Sequence, residues 1–355
     1  MTRFPKPLRP GDLIAITAPS SGVSGAAIAR LDLIINHLKV LGFQITEGEC
    51  LRSEHKSASA PRELRARELN RFLNVPAVAA IFPPWGGELA SELLELIDFE
   101  ALKAVEPKWL LGYSDLSTIQ VPLTLISGWA TAHGSNMMDL VPTQSDSLTT
   151  SVLSILAADL TKSIVQNSSE LFQEKAVSWS VQCDAPHNLT SPTRWKRLDG
   201  IDQPLSISGR LIGGCLDTIA WLAGSMYGDI PRFVRANDDE GTILYLENVE
   251  MAPPGIVRAL LALRRAGWFD GMSGLLIGRN AGPSPNGPSD LTYLDALHAT
   301  LGALACPAMI DVDIGHRPPQ FTLINGAFAR VQFADGKGSI TQSAEVTPLS
   351  PSKKI

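Results

Sequence analysis

Short apolar runs alternate with longer amphipathic runs over the first third of the chain. The runs predict buried strands at 13–17, 43–46, 77–82 and 109–113, and helices at 26–41, 61–73, 88–97 and 116–126. Strands that alternate with helices at this spacing are typical of a parallel sheet covered by helices. We therefore predict an N-terminal α/β domain over residues 1–141.

The pattern changes between residues 142 and 206, where polar residues and turn formers dominate and two tryptophans, Trp179 and Trp195, occur. We interpret this segment as an excursion between two domains. Regular elements return afterwards and predict a C-terminal, β-rich mixed α/β domain over residues 207–355, with a frayed tail over its last ten residues. The predicted fold class is thus α/β with two domains.

Composition narrows the function classes. The 355 residues are 45% hydrophobic and 19% charged, which is ordinary for a globular protein. A net charge of −6 provides no electrostatic footprint for nucleic acid. No apolar run reaches the roughly 18 residues that a membrane span needs, and the basic start lacks the apolar core of a signal peptide. We expect a cytoplasmic protein that binds neither nucleic acid nor membrane.

Familiar cofactor and metal motifs do not occur in the chain. The four cysteines are far apart, which argues against a disulfide framework or a zinc knuckle. There is no GxGxxG, GxxxxGK[ST] or HExxH pattern and no EF-hand loop. We therefore expect no cofactor and no metal.

The sharpest local feature is the run Leu110-Leu-Gly-Tyr-Ser-Asp-Leu116. A buried strand ends in Gly-Tyr, presents Ser114 and passes directly into a helix. A serine on such a turn stands clear of both elements, and the backbone N–H of Asp115 faces the place where an oxyanion would form. The pattern departs from the usual GxSxG turn at Leu116, and serine is also a common helix N-cap.

A second feature, Pro84-Trp-Gly-Gly-Glu88, also joins a strand to a helix. Paired glycines allow backbone N–H groups to turn toward a ligand, although taken alone the pair is explained slightly better by a simple tight turn. Both features lie at the carboxyl ends of predicted parallel strands, where open α/β sheets bind their ligands.

A nucleophilic Ser114 would need a base and an acid. His316 follows a strand and enters a Pro-rich loop, and His133 follows an apolar strand near Ser114. Glu247 ends the apolar run Ile243–Leu246, where it is either a surface charge or a placed functional group. The other histidines are interpreted as structural or solvated: His37, His55, His187 and His298.

Together these segments resemble the serine peptidase family of LD-carboxypeptidases and microcin C immunity proteins. The resemblance runs through most of the chain in the family's order, at Leu8–Ser20, Gly112–Asp115, Gly209–Gly214, Leu244–Glu247, Ile314–His316 and Asn325–Ala327. It implies an N-terminal α/β domain and a C-terminal β-rich domain, with the active site between them, and a homodimer.

The resemblance also implies the site residues. Ser114, Glu247 and His316 would form a Ser–Glu–His triad, and an oxyanion hole would come from Asp115 and the glycine pair, with Gly87 favoured over Gly86. The chemistry would be acyl transfer to serine without metal or cofactor.

The family has two branches. LD-carboxypeptidases remove the terminal D-Ala from the peptidoglycan tetrapeptide, and immunity enzymes cleave amides of peptidyl or aminoacyl nucleotides. In the second branch a longer inter-domain loop supplies aromatic side chains that stack on the nucleobase. Trp179 and Trp195 favour that branch, with Gly86 also expected to contact substrate, unless both indoles only pack the excursion onto the body. A further alternative is a catalytically silent peptide-binding protein.

Overall fold

The computed structural model describes residues 2–285 and 287–346, and most of its strands form two sheets. The predicted α/β class with two domains is confirmed. The predicted C-terminal tail lies, from residue 347 onward, outside the described residues.

The first part of the chain follows the predicted alternation closely. Its elements are β1 (Leu13–Ile16), α1 (Ala27–Val40), β2 (Gln44–Glu47), α2 (Arg62–Asn74), β3 (Val78–Ile81), β4 (Trp109–Gly112), α3 (Ser117–Leu125) and β5 (Thr131–His133). The helix predicted at 88–97 is instead a 3₁₀ helix, Ala90–Leu96. Further 3₁₀ turns lie at Ala101–Ala104, Ser114–Leu116 and Met137–Asp139.

The excursion contains more regular structure than the sequence indicates. It forms α4 (Ser147–Thr150), α5 (Val152–Leu156), β6 (Ile164–Asn167), β7 (Leu171–Gln173), β8 (Leu189–Pro192) and β9 (Lys196–Arg197). β6 and β9 are the two edge strands of the second sheet, and β7 pairs with β8 in a separate ribbon. The excursion therefore flanks the second sheet on both sides.

The last part of the chain forms β10 (Leu205–Cys215), α6 (Leu216–Ile219), α7 (Ile230–Ala236), β11 (Thr242–Glu247), α8 (Pro253–Arg265), β12 (Gly274–Gly278), α9 (Tyr293–Leu301), β13 (Ala308–Val312), β14 (Leu323–Asn325), β15 (Phe328–Ala334) and β16 (Lys337–Ser343), with 3₁₀ turns at Ala220–Leu222 and Met226–Gly228. α8 begins at two prolines, whose missing N–H groups cost nothing in the first turn. It buries Ile256, Leu260 and Leu263, which share one face of the helix.

The strand order determines where the carboxyl ends of the strands lie. The first sheet runs β14-β5-β4-β3-β1-β2, with β1 to β5 parallel and β14 antiparallel to β5. The second sheet runs β6-β16-β15-β10-β11-β12-β13-β9, with β10 to β13 parallel. Since β14 comes from the last third of the chain, the C-terminal segment completes the N-terminal sheet.

One buried apolar cluster joins the two sheets. It includes Leu110 and Ile119 from the first part of the chain and Ile212 and Leu246 from the second. Burial of apolar surface stabilises such a contact by about 25 cal/mol per Å². The relative position of the sheets is therefore set by packing. Among the described residues no helix is long and apolar enough to cross a bilayer.

The two parts also approach each other closely where α3 crosses the end of β10. The backbone N–H of Cys215 donates to the Ser117 hydroxyl at 3.1 Å. A Cβ at Gly214 would lie 2.5 Å from the Ser117 Cβ, which is closer than two carbon atoms can pack. Glycine is thus needed here for backbone approach.

Gly214→Ala is expected to lower the free energy of unfolding by about 2 kcal/mol or more, because α3 must move away from β10. Chemical denaturation of the variant and the parent measures the loss. Ser206→Ala is the control, since it introduces the same residue at an exposed position of the same strand. Equal stability of the two variants would contradict the assigned role of Gly214.

Candidate active site

Ser114 lies on a tight turn between β4 and α3. Its φ is +65°, in the left-handed region that residues other than glycine rarely adopt. Such strain costs of order 1–3 kcal/mol and is typical of a nucleophile held on a strand-to-helix turn. The turn places Ser114 beyond the end of β4, at the start of the 3₁₀ turn Ser114–Leu116.

The structure brings Ser114, His316 and Glu247 together from both sheets. His316 Nε2 lies 3.0 Å from Ser114 Oγ, and His316 Nδ1 lies 2.8 Å from Glu247 Oε2. Glu247 is the last residue of β11, and His316 lies in the loop after β13. This is the spacing that a nucleophile, a base and an orienting acid require.

The pair His316–Glu247 is electrostatically coupled. Burial alone would lower the pKa of His316, but the Glu247 charge and hydrogen bond raise it above the usual value. Burial alone would raise the pKa of Glu247, but His316 lowers it. The acid is therefore ionised and favours the charged form of the imidazole.

The alternative base, His133, is placed differently. It is fully buried on β5 between the rings of Tyr113 and Tyr245, at centroid distances of 6.2 and 5.1 Å. Neither ring nitrogen has a hydrogen-bond partner in the described part of the chain. Burial lowers the pKa of His133 to about 4, so the ring is neutral at physiological pH. It makes no hydrogen bond to Ser114.

The glycine pair lies against the nucleophile turn. A Cβ at Gly86 would lie 2.8 Å from the Ser114 Cβ and 2.9 Å from the Asp115 nitrogen, so only glycine allows this approach. Gly87, with a φ of +142°, lines the same cavity as Ser114 and Asp115. The backbone groups expected to form an oxyanion hole are thus neighbours.

The Asp115 side chain holds this arrangement together. Its Oδ2 accepts hydrogen bonds from the Ser20 hydroxyl at 2.5 Å and from the Ala90 N–H at 2.8 Å. Burial raises the pKa of this carboxyl in spite of those bonds. Asp115 therefore links the loop after β1 and the segment after Gly87 to the nucleophile turn.

A cavity of about 340 Å³ opens beside Ser114. The sequence did not single out its far wall, which includes Asp217, Trp221 and Met251. Asp217 accepts backbone N–H bonds from Val249, Glu250 and Met251 at 2.9–3.0 Å, and Trp221 is 80% exposed. The position of Asp217 just beyond a strand end was the available signal. No lysine or arginine lines the cavity among the described residues.

Trp179 reaches the neighbourhood of the glycine pair. Its ring stacks on Trp85, with centroids 5.9 Å apart and planes 6° apart, and the Arg30 guanidinium lies 4.3 Å from its centroid. Trp85 immediately precedes Gly86. Trp179 is half-buried, so part of the indole faces solvent close to the candidate site.

Two sets of polar contacts hold the excursion against the first part of the chain. Arg30 donates to the carbonyls of Cys183 and Ala185 at 3.0 and 2.9 Å. His187 lies 3.6 Å from Asp139 and 3.5 Å from Asp146. Burial alone would lower the pKa of His187, but these two carboxylates raise it to about 9. The charged ring therefore links the excursion to the first part of the chain.

The structure corrects the substrate-binding role expected of Trp195. Its indole is 1% exposed, packs edge-on against Phe321 at 5.7 Å and donates its N–H to Asp313 at 2.7 Å. A ring with both faces enclosed cannot stack on a ligand. Trp195 therefore fits the alternative reading, in which the indole packs the excursion onto the body.

Cys215, Glu247 and His316 place potential ligand atoms within 4.8 Å of one another. Metal binding would require a thiolate, but burial raises the pKa of Cys215 well above its usual value. Both His316 nitrogens also face hydrogen-bond partners. The donor set thus fits a hydrogen-bonded triad better than a metal site.

Comparison with known proteins agrees with the two-part architecture. The LD-carboxypeptidase N-terminal domain family matches residues 14–134, and the LD-carboxypeptidase C-terminal domain family matches residues 208–331. A putative carboxypeptidase of Vibrio cholerae is 27% identical over 93% of this chain and 95% of its own length. A probable murein peptide carboxypeptidase of Bacillus subtilis is 24% identical over 93% and 92%.

Solved structures share the fold. The microcin C7 self-immunity protein MccF superposes with a TM-score of 0.81 at 22% identity, covering 96% of this chain and 99% of that one. An MccF-like protein from Bacillus anthracis gives 0.78 at 21% identity, covering 97% and 100%. One MccF structure holds glutamyl sulfamoyl guanosine. With both family domains matched in order, the chain belongs to the LD-carboxypeptidase family of serine peptidases.

Proposed function

We propose that this serine peptidase is an amide hydrolase of the microcin C immunity type, which cleaves aminoacyl- or peptidyl-nucleotide amides. The observation that supports its chemistry is the continuous hydrogen-bonded line from Glu247 through His316 to Ser114, with gaps of 2.8 and 3.0 Å. These three residues form the proposed catalytic triad.

In the proposed mechanism His316 Nε2 accepts the Ser114 proton while Oγ attacks the amide carbonyl. Glu247 holds the proton on Nδ1 and stabilises the imidazolium that forms. His316 then protonates the leaving amine. In the second half of the reaction His316 accepts a proton from the water molecule that attacks the acyl-enzyme, and it returns a proton to Ser114. The raised pKa of His316 assists the first step, because a more basic imidazole accepts the Ser114 proton more readily.

The proposed oxyanion hole consists of the N–H groups of Gly87 and Asp115. Both residues line the cavity that contains Ser114. Fixed backbone donors stabilise the tetrahedral oxyanion without reorganisation, and loss of one typically costs about 100–1000-fold in rate. The Asp115 carboxylate accepts hydrogen bonds from the Ser20 hydroxyl and the Ala90 N–H, and so holds the segment after Gly87 next to the turn at Ser114.

Trp179 supports the choice of a nucleotide amide. Trp179 and Trp85 form a stacked aromatic pair next to the glycine pair, and Arg30 lies over the Trp179 ring. Because Trp179 is only half-buried, we propose that a nucleobase stacks on the exposed part of this pair. MccF, which shares the fold, has been solved with aspartyl sulfamoyl adenosine and with glutamyl sulfamoyl guanosine. We extend that ligand class to this chain by proposal.

The names of the curated relatives favour a second candidate, an LD-carboxypeptidase that removes terminal D-Ala from a peptidoglycan tetrapeptide. The Bacillus subtilis relative is a probable murein peptide carboxypeptidase. Against this candidate, the described residues that line the cavity beside Ser114 include no basic side chain to pair with a terminal carboxylate. Membership of a peptidase family argues against a silent peptide-binding protein. The cytoplasmic location and the homodimer remain predictions.

Ser114→Ala is expected to reduce amide hydrolysis at least 1000-fold, since it removes the nucleophile. Purified protein is incubated with an aminoacyl-sulfamoyl-adenosine amide and a tetrapeptide ending in D-Ala, and the products are identified by mass spectrometry. Ser91→Ala, an exposed serine of the same cavity, is the control. Nucleoside release supports the immunity type, D-Ala release supports the alternative, and hydrolysis that survives in Ser114→Ala contradicts the triad.

Glu247→Gln removes the charge that raises the pKa of His316. The acid limb of kcat/KM, which reports loss of the neutral base, should therefore move to lower pH, and the plateau should fall about 100–10,000-fold. A pH–rate profile measures both changes. Glu250→Gln, at the same cavity, should leave the limb in place. An unmoved limb in Glu247→Gln would count against its role as the acid.

Trp179→Ala should raise KM for the nucleoside amide about 5-fold or more, because stacking on an aromatic ring is worth about 1–3 kcal/mol per base. KM for a peptide amide without a nucleobase should change less than 2-fold and serves as the internal control. Steady-state kinetics on both substrates decide the matter. An equal change for both would show that the indole acts only by holding the excursion.

A further inference from the structure

The loop that carries His316 is held in place by hydrogen bonds from a buried arginine. Arg279, the residue after β12, donates through Nη1 to the carbonyls of Arg317 and Pro319 at 2.7 and 3.0 Å. Through Nη2 it pairs with the carboxylate of Asp313. The guanidinium thus binds the loop both before and after His316.

The excursion completes this arrangement. Asp313 Oδ2 accepts the Trp195 indole N–H at 2.7 Å, and Asp313 Oδ1 accepts the backbone N–H of Ser169 at 3.2 Å. Arg279 Nη2 also donates to the hydroxyls of Ser169 and Thr193 at 3.0 and 3.2 Å. Two segments of the excursion therefore surround a single ion pair.

Burial of both charges has a desolvation cost, which the interactions of the ion pair must offset. The side chains of Arg279 and Asp313 are 4% and 0% exposed. Desolvation of such a pair can exceed its Coulombic attraction, so the pair is weak evidence for stability. A guanidinium is, however, a rigid planar fork, and its donors here fix the carbonyls of residues that flank His316.

Position matters because the base must stay within hydrogen-bond reach of Ser114. A misplacement of about 1 Å can cost roughly 100-fold in rate. The His316 side chain is 19% exposed and lies 4.7 Å from the Tyr113 ring, centroid to centroid. Because it comes from a loop rather than from a strand, its position also depends on the backbone of that loop. The loop backbone therefore contributes to the position of the ring, together with the hydrogen bond to Glu247.

We propose that Arg279, Asp313 and Trp195 are positioning residues, which hold the His316 loop at the distance from which His316 activates Ser114. The inference rests on the proposed triad. It gives the excursion a second role besides substrate recognition, because Trp195 acts through Asp313 on the base. None of the three lines the cavity beside Ser114.

The test uses a fluorophosphonate probe, which phosphonylates a serine activated by a base. The Ser114 oxygen forms a bond to phosphorus, fluoride leaves, and the serine proton passes to His316. Trp195→Phe removes the indole N–H and leaves the pair Arg279–Asp313 in place. We expect its limiting labelling rate to fall about 10-fold, with the half-saturating probe concentration unchanged within 2-fold.

Trp129→Phe is the matched control. Trp129 is also fully buried and donates its indole N–H to the Leu102 carbonyl at 3.0 Å, away from the His316 loop. Both substitutions remove one buried hydrogen bond and leave a similar void, and the melting temperature of each variant measures how far its stability falls. Only Trp195→Phe should slow labelling, which a merely structural role would not produce.

Arg279→Lys provides a second variant, since one ammonium cannot reproduce the planar fork. We expect a larger loss of labelling rate, measured well below its melting temperature and with folding checked by circular dichroism; if it does not fold, Trp195→Phe decides alone. Parental labelling rates in Trp195→Phe, or equal slowing in Trp129→Phe, overturn the proposal. Failure of the parent to label at Ser114 would instead overturn the proposed function, so the two failures are distinguishable.

Discussion

The contact between Ser114 and His316 joins side chains from two different sheets. It therefore depends on the position of one sheet relative to the other. Ser114 follows β4 of the first sheet, whereas Glu247 ends β11 and His316 follows β13 of the second. A 3.0 Å gap between side chains on different sheets tolerates little relative movement. The sheets must therefore be packed rigidly against each other.

Several features supply that rigidity. A shared apolar cluster fills the space between the sheets, and the glycine at position 214 allows β10 to approach α3. β14 comes from the C-terminal part but pairs with β5 of the first sheet. The C-terminal chain thus crosses into the N-terminal sheet directly after the His316 loop, which links the proposed base to the sheet of the proposed nucleophile.

The excursion between the two parts contacts two separate regions near the candidate site. Through Trp179 and its contacts with Trp85 and Arg30 it reaches the neighbourhood of the glycine pair, where we propose that substrate binds. Through Trp195 and Ser169 it surrounds the ion pair beneath the His316 loop. The two tryptophans, equivalent in the sequence, therefore have different environments and different proposed roles.

The sequence by itself determined the alternation of strands and helices, the turn at Ser114, the glycine pair and the family motifs. These are local signals: apolar periodicity, turn chemistry and residue order do not require knowledge of distant contacts. The same signals singled out Glu247 and His316, because each follows an apolar strand. Only the tertiary structure showed that their side chains meet Ser114, that His133 is sealed between two tyrosines, and that Trp195 is buried while Trp179 is not. Those outcomes depend on contacts between residues far apart in the chain, such as Trp195 with Asp313, and no local pattern encodes which face of an indole a distant segment will cover.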